Sequence, residues 1–313
     1  MDAQTSPFLS ARSAVCPPEL LELAHAGDVP RVAIASAGAA LPMAAARQAF
    51  EAGLMHPIFV GEPDRVHKQA DSLNWDISSF DLYPVSGEAE AGARAAELCG
   101  AGDADVLMKG QLHTDVFMKA ALNRDAGLRT GRRLVHVFHI THPTGGPAIT
   151  ISDAAVNVAP DLETRQDATR AVVDLLHRLG KARPRVAFLS ATESVLPGVP
   201  SSVEGRALAE WAAANLSNAE FSGPLALDLI LSPDSAATKG LSGDPVAGCA
   251  DAVIVPDIVS GNTLFKALVY LSGGCAAGLV VGAKVPILLT SRADPPAARL
   301  ASVALAAISR SVP

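Results

Sequence analysis

The residues that could do chemistry sit in short polar stretches that follow apolar runs. Ser291-Arg292 comes directly after the run VPILLT and pairs a hydroxyl with a guanidinium, a combination that suits phosphate. Asp257 and the Ser260-Gly261-Asn262 turn follow another apolar run, Ala252–Val255, and enter a helical pattern. Helix starts carry free N–H groups that favour anions. Ser260 or Asn262 could cap that helix, and Asp257 could be a cap or a site carboxylate. Lys266 lies about one turn beyond Asn262 and could share its face. Lys109-Gly110-Gln111-Leu112-His113-Thr114 has the same form: a lysine at a strand end, a glycine, then a helix start at His113 or Thr114, able to hold a phosphate or carboxylate. Arg129, Arg132 and Arg133 form a basic turn in an acidic chain and could bind a nucleotide phosphate. Lys239, beside Gly240, raises the same choice between an anion site and a solvated surface.

Other candidates fit less well. His136, His139 and His142 lie three apart on an extended run, where such spacing alternates faces rather than gathering ligands. No HExxH-type pattern supports a metal. Ser291 lacks the GxSxG elbow of a serine nucleophile, so a hydrogen-bonding role suits it better. Cys275 has small apolar neighbours and reads as a buried, inert thiol.

The elements that must position these residues alternate between strand and helix. Strands are expected at Arg31–Ala37, His56–Val60, Phe80–Val85, Ala104–Met108, Leu134–His142, Ala148–Ser152 and Arg185–Ser190, and again in the runs around residues 252–289. Helices are expected at Glu19–His25, Leu41–Gly53, Glu62–Leu73, Glu88–Cys99, Asp161–Gly180, Val203–Leu216, Asp228–Lys239 with a break at Pro233, and Pro295–Ile308. The helix from Val203 is expected to be capped from Ser201 or Ser202. The alternation argues for parallel α/β architecture, with the extended stretches after Leu134 crossing into a second domain.

The chain's 313 residues can bury a sizeable core, and 49% hydrophobic content with 4% aromatics points to one of Ala, Val and Leu. A net charge of −7 gives no reason to expect a nucleic-acid partner. The four cysteines are scattered, as for reduced thiols in a cytoplasm. No secretory leader or membrane span is expected: the longest weakly polar segment, Ala267–Ala283, falls short of the roughly 20 residues required and is broken by Ser272-Gly273-Gly274.

Several ordered motifs, ADVLMKGQLHTD, GLRTGRRLVHVF, ISDAAVNVAPDLETR, RVAFLSATESV, PDIVSGNTLFK and VPILLTSRAD, resemble those of the phosphate acetyl/butyryltransferases, from about Arg31 to about Ala307. The resemblance implies a fold like that of the isocitrate and isopropylmalate dehydrogenases: two three-layer αβα domains around a cleft, commonly dimeric. One domain would comprise 1–135 plus 290–313, the other an insertion of 136–289. It implies reversible acyl transfer, in which acyl-CoA and phosphate give acyl phosphate and CoA, with coenzyme A as substrate and no tightly bound cofactor or metal. By the same resemblance Arg292 would hold the phosphoryl group and Ser291 would hydrogen-bond the reacting centre. Lys109, His113 and Asn262 would line the cleft, and Arg129–Arg133 would meet CoA phosphates. Thr114, Lys239, Ser260, Gly261 and Lys266 complete the candidate binding set. One departure stands out. Seven residues beyond Ser291, where acetyltransferases of the family carry an aspartate proposed as thiol base, this chain has Ala298; Asp294 or Asp257 could substitute. Two alternatives share the expected fold: a metal- and NAD-dependent hydroxyacid dehydrogenase, for which no GxGxxG follows the first strand, and a non-catalytic CoA-binding relative.

Overall fold

The computed structural model describes residues 6–289 and 293–310. The chain divides into two compact units, the first of Cys16–Arg132 with the return from Ala277, the second of Arg133–Ala276 with the stretch up to Val15. The first begins with α1 (Pro18–His25), β1 (Arg31–Ala35), α2 (Ala40–Glu51), β2 (His56–Gly61), α3 (Pro63–Ser72), β3 (Leu82–Pro84), α4 (Gly87–Ala101), β4 (Val106–Lys109) and α5 (Thr114–Ala121). The second contains β5 (Val135–Thr141), β6 (Ile149–Ser152), α6 (Leu162–Arg178), β7 (Arg185–Leu189), α7 (Pro200–Asn215), β8 (Glu220–Leu225), α8 (Leu227–Leu231), α9 (Pro233–Thr238), β9 (Ala252–Ile254) and α10 (Ile258–Tyr270). The chain then returns through β10 (Cys275–Val281), β11 (Ile287–Leu288) and α11 (Pro296–Ser309).

In the first unit the strand order is β3-β2-β1-β4-β11-β10. The β11 strand runs parallel to β4, with Leu288 opposite Met108. In the second unit the order is β5-β6-β9-β7-β8. Both units are mixed, because β10–β11 and β5–β6 are antiparallel. The cause is connection length. The seven residues 142–148 between β5 and β6 cannot hold a crossover helix, and they turn at Gly145 and Gly146, with φ of 81° and 102°. The apolar runs of β1, β2 and β4 are buried, as parallel strands covered on both faces must be. Phe50, Phe59, Trp75 and Phe80 cluster at the β2 side of this core. In the second unit Phe138 stacks on Phe265 at 3.9 Å between ring centroids, fixing α10 over β5.

Strand β8 was not expected. Its interior Gly223-Pro224 argues against a central strand, but β8 lies at the edge, where a missing N–H costs no ladder bond. Gly223 is also needed for packing, since a Cβ there would lie 2.7 Å from that of Phe188. Two expected caps are corrected. The α7 helix begins at Pro200 with no side-chain cap, and the Ser202 hydroxyl instead ties the preceding turn to Leu196 and Val199. In α10 the cap is Asp257, while Ser260 and Asn262 lie inside the helix.

Candidate functional site

In the second unit the carboxyl ends of β6 and β9 lie side by side, with Ser152 opposite Ile254. The register therefore brings the 152–157 loop against the start of α10. Asp153, only 4% exposed, organises that loop. Its carboxylate accepts the backbone N–H groups of Ala155, Val156 and Asn157 at 2.9–3.2 Å and the side-chain amide of Asn157 at 2.6 Å. Asn157 also donates to Leu134 O at 2.8 Å. Across from it, Asp257 accepts from the Ser260 N–H at 2.9 Å and the Ser260 hydroxyl at 3.0 Å. Both of its oxygens are thus engaged in capping. Asn262 donates to Ala154 O at 3.2 Å, and a Cβ on Gly261 would fall 2.5 Å from Asp153 O. Gly261 is what permits the helix and the loop to touch.

Sequence reasoning assigned no role to Asp153, Asn157 or Arg165. The signal available for the first two was an acid and an amide four residues apart, directly after a strand. Arg165, on the first turn of α6, is 1% exposed and donates to Glu204 at 2.8 Å. Burial lowers its pKa from the usual arginine range, while Glu204 and Asp257 oppose that shift. Lys239 pairs with Glu193 at 3.1 Å, and Lys266 is exposed on α10. His136 is buried and His139 half-buried in β5, and both are held neutral, each with its pKa pushed down to about 4 by desolvation. Among the described residues no cluster of histidine, cysteine and carboxylate groups could hold a metal.

In the first unit Lys109 ends β4, and Gly110 passes so close to β1 that a Cβ would lie 2.4 Å from the carbonyls of Ala35 and Ser36. Gln111 N–H donates to Ser36 O at 2.9 Å, and the Ser36 hydroxyl returns a bond to Gln111 O at 3.0 Å. His113 is the N-cap residue of α5, with Thr114 first in the helix. Its backbone N–H donates to Glu88 at 2.8 Å, and its ring Nδ1 lies 2.7 Å from the same oxygen. The His113 backbone bond, with its ring second, lowers the Glu88 pKa. The Arg129 segment bridges Ala283, and Thr130 anchors the turn by donating to Gly282 O. Arg129 and Arg132 are exposed; Arg133, assigned to the second unit, is also exposed and its N–H donates to Asp167 at 3.0 Å. Ser291 and Arg292 lie outside the described residues. Asp294 is partly buried just before α11, where its carbonyl accepts from Arg299. Ala298 is buried on that helix.

Residues 89–307 match the family model described as phosphate acetyl/butaryl transferase. The chain is 41% identical over 262 residues to a phosphate acetyltransferase of Rhizobium meliloti, covering 83% of each protein. It is 32% identical over 291 residues to a phosphate butyryltransferase of Clostridium acetobutylicum, covering 93% of this chain and 96% of that one. Its structure resembles that of a branched-chain phosphotransacylase from Enterococcus faecalis, with a TM-score of 0.78 at 28% identity over 90% of this chain and 99% of that one.

Proposed function

The chain belongs to the phosphate acetyl/butyryl transferase family, and from that premise we propose that it moves a short acyl group, acetyl or butyryl, between coenzyme A and inorganic phosphate. The observation that carries the reading is the parallel register of β11 with β4. It brings the chain just before Ser291-Arg292 to the same sheet edge as Lys109 and the His113 turn. Family membership removes the support for a dehydrogenase on this architecture.

In the proposed reaction the CoA thiolate attacks the acyl carbonyl carbon, an oxyanion forms, and phosphate leaves with the electron pair of the broken C–O bond. A thiol with a pKa of about 8.5 is mostly protonated at neutral pH and needs a base. Asp294 is assigned that role: it lies three residues beyond Ser291, and position 298 holds an alanine without a carboxylate. Arg292 neutralises the phosphoryl oxygens, and Ser291 donates to the developing oxyanion. Lys109, His113, Thr114 and Arg129 to Arg133 belong to the binding set, as do Lys239, Ser260, Gly261, Asn262 and Lys266. No tightly bound cofactor enters.

The reading places the protein in the cytoplasm; no helix among the described residues is long and apolar enough to cross a membrane. It also makes the protein a homodimer. The support is α10, whose Val259, Tyr270 and neighbouring Leu271 are exposed apolar groups on one element. Light scattering is expected to give twice the chain mass, and a monomer at micromolar concentration would contradict that. The acyl reading is tested by phosphate-dependent release of CoA from acetyl-, propionyl- and butyryl-CoA, and by the reverse reaction. Turnover with at least one chain length in both directions is expected. CoA binding without turnover on any of them would make the chain a non-catalytic relative.

A further inference from the structure

One carboxylate oxygen of Glu88, in the first turn of α4, receives two bonds from His113: the backbone N–H at 2.8 Å and ring Nδ1 at 2.7 Å. His113 is the N-cap residue of α5, yet its ring makes no cap bond to that helix. The ring reaches across to α4 instead, so capping does not account for its placement. The two helices meet closely behind the pair. At Gly92, one turn along α4 from Glu88, a Cβ would lie 3.2 Å from that of Ala120 and 3.5 Å from Leu112 Cδ1. Carboxylate and imidazole are therefore presented by packed elements.

The pair has a definite proton arrangement. The two bonds from His113, backbone first, with Lys109 at the end of β4 as a lesser influence, hold the Glu88 carboxyl below the usual carboxylate range. An ionised carboxylate only accepts, so Nδ1 is assigned the proton and the neutral ring presents a lone pair on Nε2. The His113 side chain is 78% exposed and that of Glu88 37%, which makes the imidazole the outer member. A carboxylate behind an imidazole orients the ring and stabilises the imidazolium that forms when Nε2 takes a proton.

Acyl transfer needs such a group at this edge. Phosphate keeps its last proton far above neutral pH and leaves poorly as a trianion, so a proton must reach it as the C–O bond breaks. A guanidinium such as that of Arg292 neutralises charge but gives up no proton. His113 follows β4, and β11, which leads toward Ser291-Arg292, pairs with β4 in parallel.

We propose that His113, oriented by Glu88, is the general acid and base for the phosphate, a role that rests on the acyl-transfer reading and adds to it. Toward acyl-CoA, the ring takes a proton from water; the thiolate bonds to the acyl carbon, the C–O electron pair goes to the phosphate oxygen, and the Nε2 proton follows, so hydrogen phosphate leaves. Toward acyl phosphate, neutral His113 takes that proton as a phosphate oxygen bonds to the carbonyl carbon and the C–S pair leaves with sulfur. Asp294 exchanges the thiol proton with water in both directions.

The test is phosphate-dependent release of CoA from acyl-CoA by wild type, His113→Ala and Glu88→Gln, with and without added imidazole. His113→Ala retains the backbone bond to Glu88. It is expected to lose about 10²–10⁴-fold in kcat with KM for acyl-CoA little changed. Added imidazole is expected to restore part of that loss, because the missing ring was exposed. Glu88→Gln keeps an acceptor for both His113 bonds but not the charge; it is expected to lower kcat by a smaller factor and to gain nothing from imidazole. His113→Ala at the wild-type rate, or slowed without rescue by imidazole, overturns the assignment and leaves acyl transfer standing. Glu88→Gln at the wild-type rate overturns the pairing. Absence of turnover in wild type sinks the reaction and the proton role together.

Discussion

His136, buried, and His139, half-buried, are neutral groups, and each is resisted as a cation by the loss of water; Lys181 adds to this at His139, while Asp153 partly offsets it at His136. Their folded pKa values of about 4 lie below the unfolded value near 6.5. Between those two pH values the unfolded chain binds more protons, so stability rises with pH there and is flat above about 7. Acidification from pH 7 is therefore expected to cost stability well before carboxylates such as Glu88 and Asp105, whose pKa values are lowered, begin to protonate. Each buried histidine contributes a slope of about 1.4 kcal/mol per pH unit. Urea unfolding at pH 7 and pH 5 measures it, and His139→Gln is expected to flatten the dependence; an unchanged slope in that variant would remove His139 from the account. The roles of individual residues were unevenly legible. Asp153 offered only the spacing of an acid and an amide, because three of its four donors are backbone N–H groups that converge on it only when the 152–157 loop folds.

Gly261 carries the contact between α10 and the Asp153 loop. Adding a methyl group would place Cβ 2.5 Å from Asp153 O and 2.9 Å from Val255 Cγ2. Gly261→Ala is expected to push the helix start away, destabilise the fold by about 1–3 kcal/mol and weaken substrate binding. Val203→Ala, at an exposed position on α7, is expected to be near neutral. Thermal unfolding of the pair measures the difference, and equal stability would show that the contact is not tight. Most elements could be read from sequence because the apolar runs are long and their ends carry glycine, proline or polar residues. The misses share one cause, that a local pattern cannot reveal tertiary position. The strand β8 is compatible with Pro224 only because it lies at an edge, and the caps of α7 and α10 were decided by which hydroxyl had another partner.

At the scale of the molecule, the architecture brings polar turns to the carboxyl edge of strands in each unit. In one the turn is Lys109–Thr114; in the other the turns are the Asp153 loop and the Asp257-capped helix start. The mixed strand directions place β11 beside β4, a pairing absent from the sequence-based boundaries because a two-residue strand leaves almost no periodic signal. The acyl preference was not legible, since relatives named for acetyl and for butyryl transfer resemble the chain over most of its length.

The central claim is that a guanidinium following β11 neutralises the phosphoryl group during transfer. The most direct measurement is phosphate-dependent release of CoA from acyl-CoA by Arg292→Ala, beside wild type and with far-UV circular dichroism as the check on folding. The account predicts a fall in kcat/KM of about 10²–10³-fold with an unchanged spectrum. Full activity in a folded Arg292→Ala protein would contradict it.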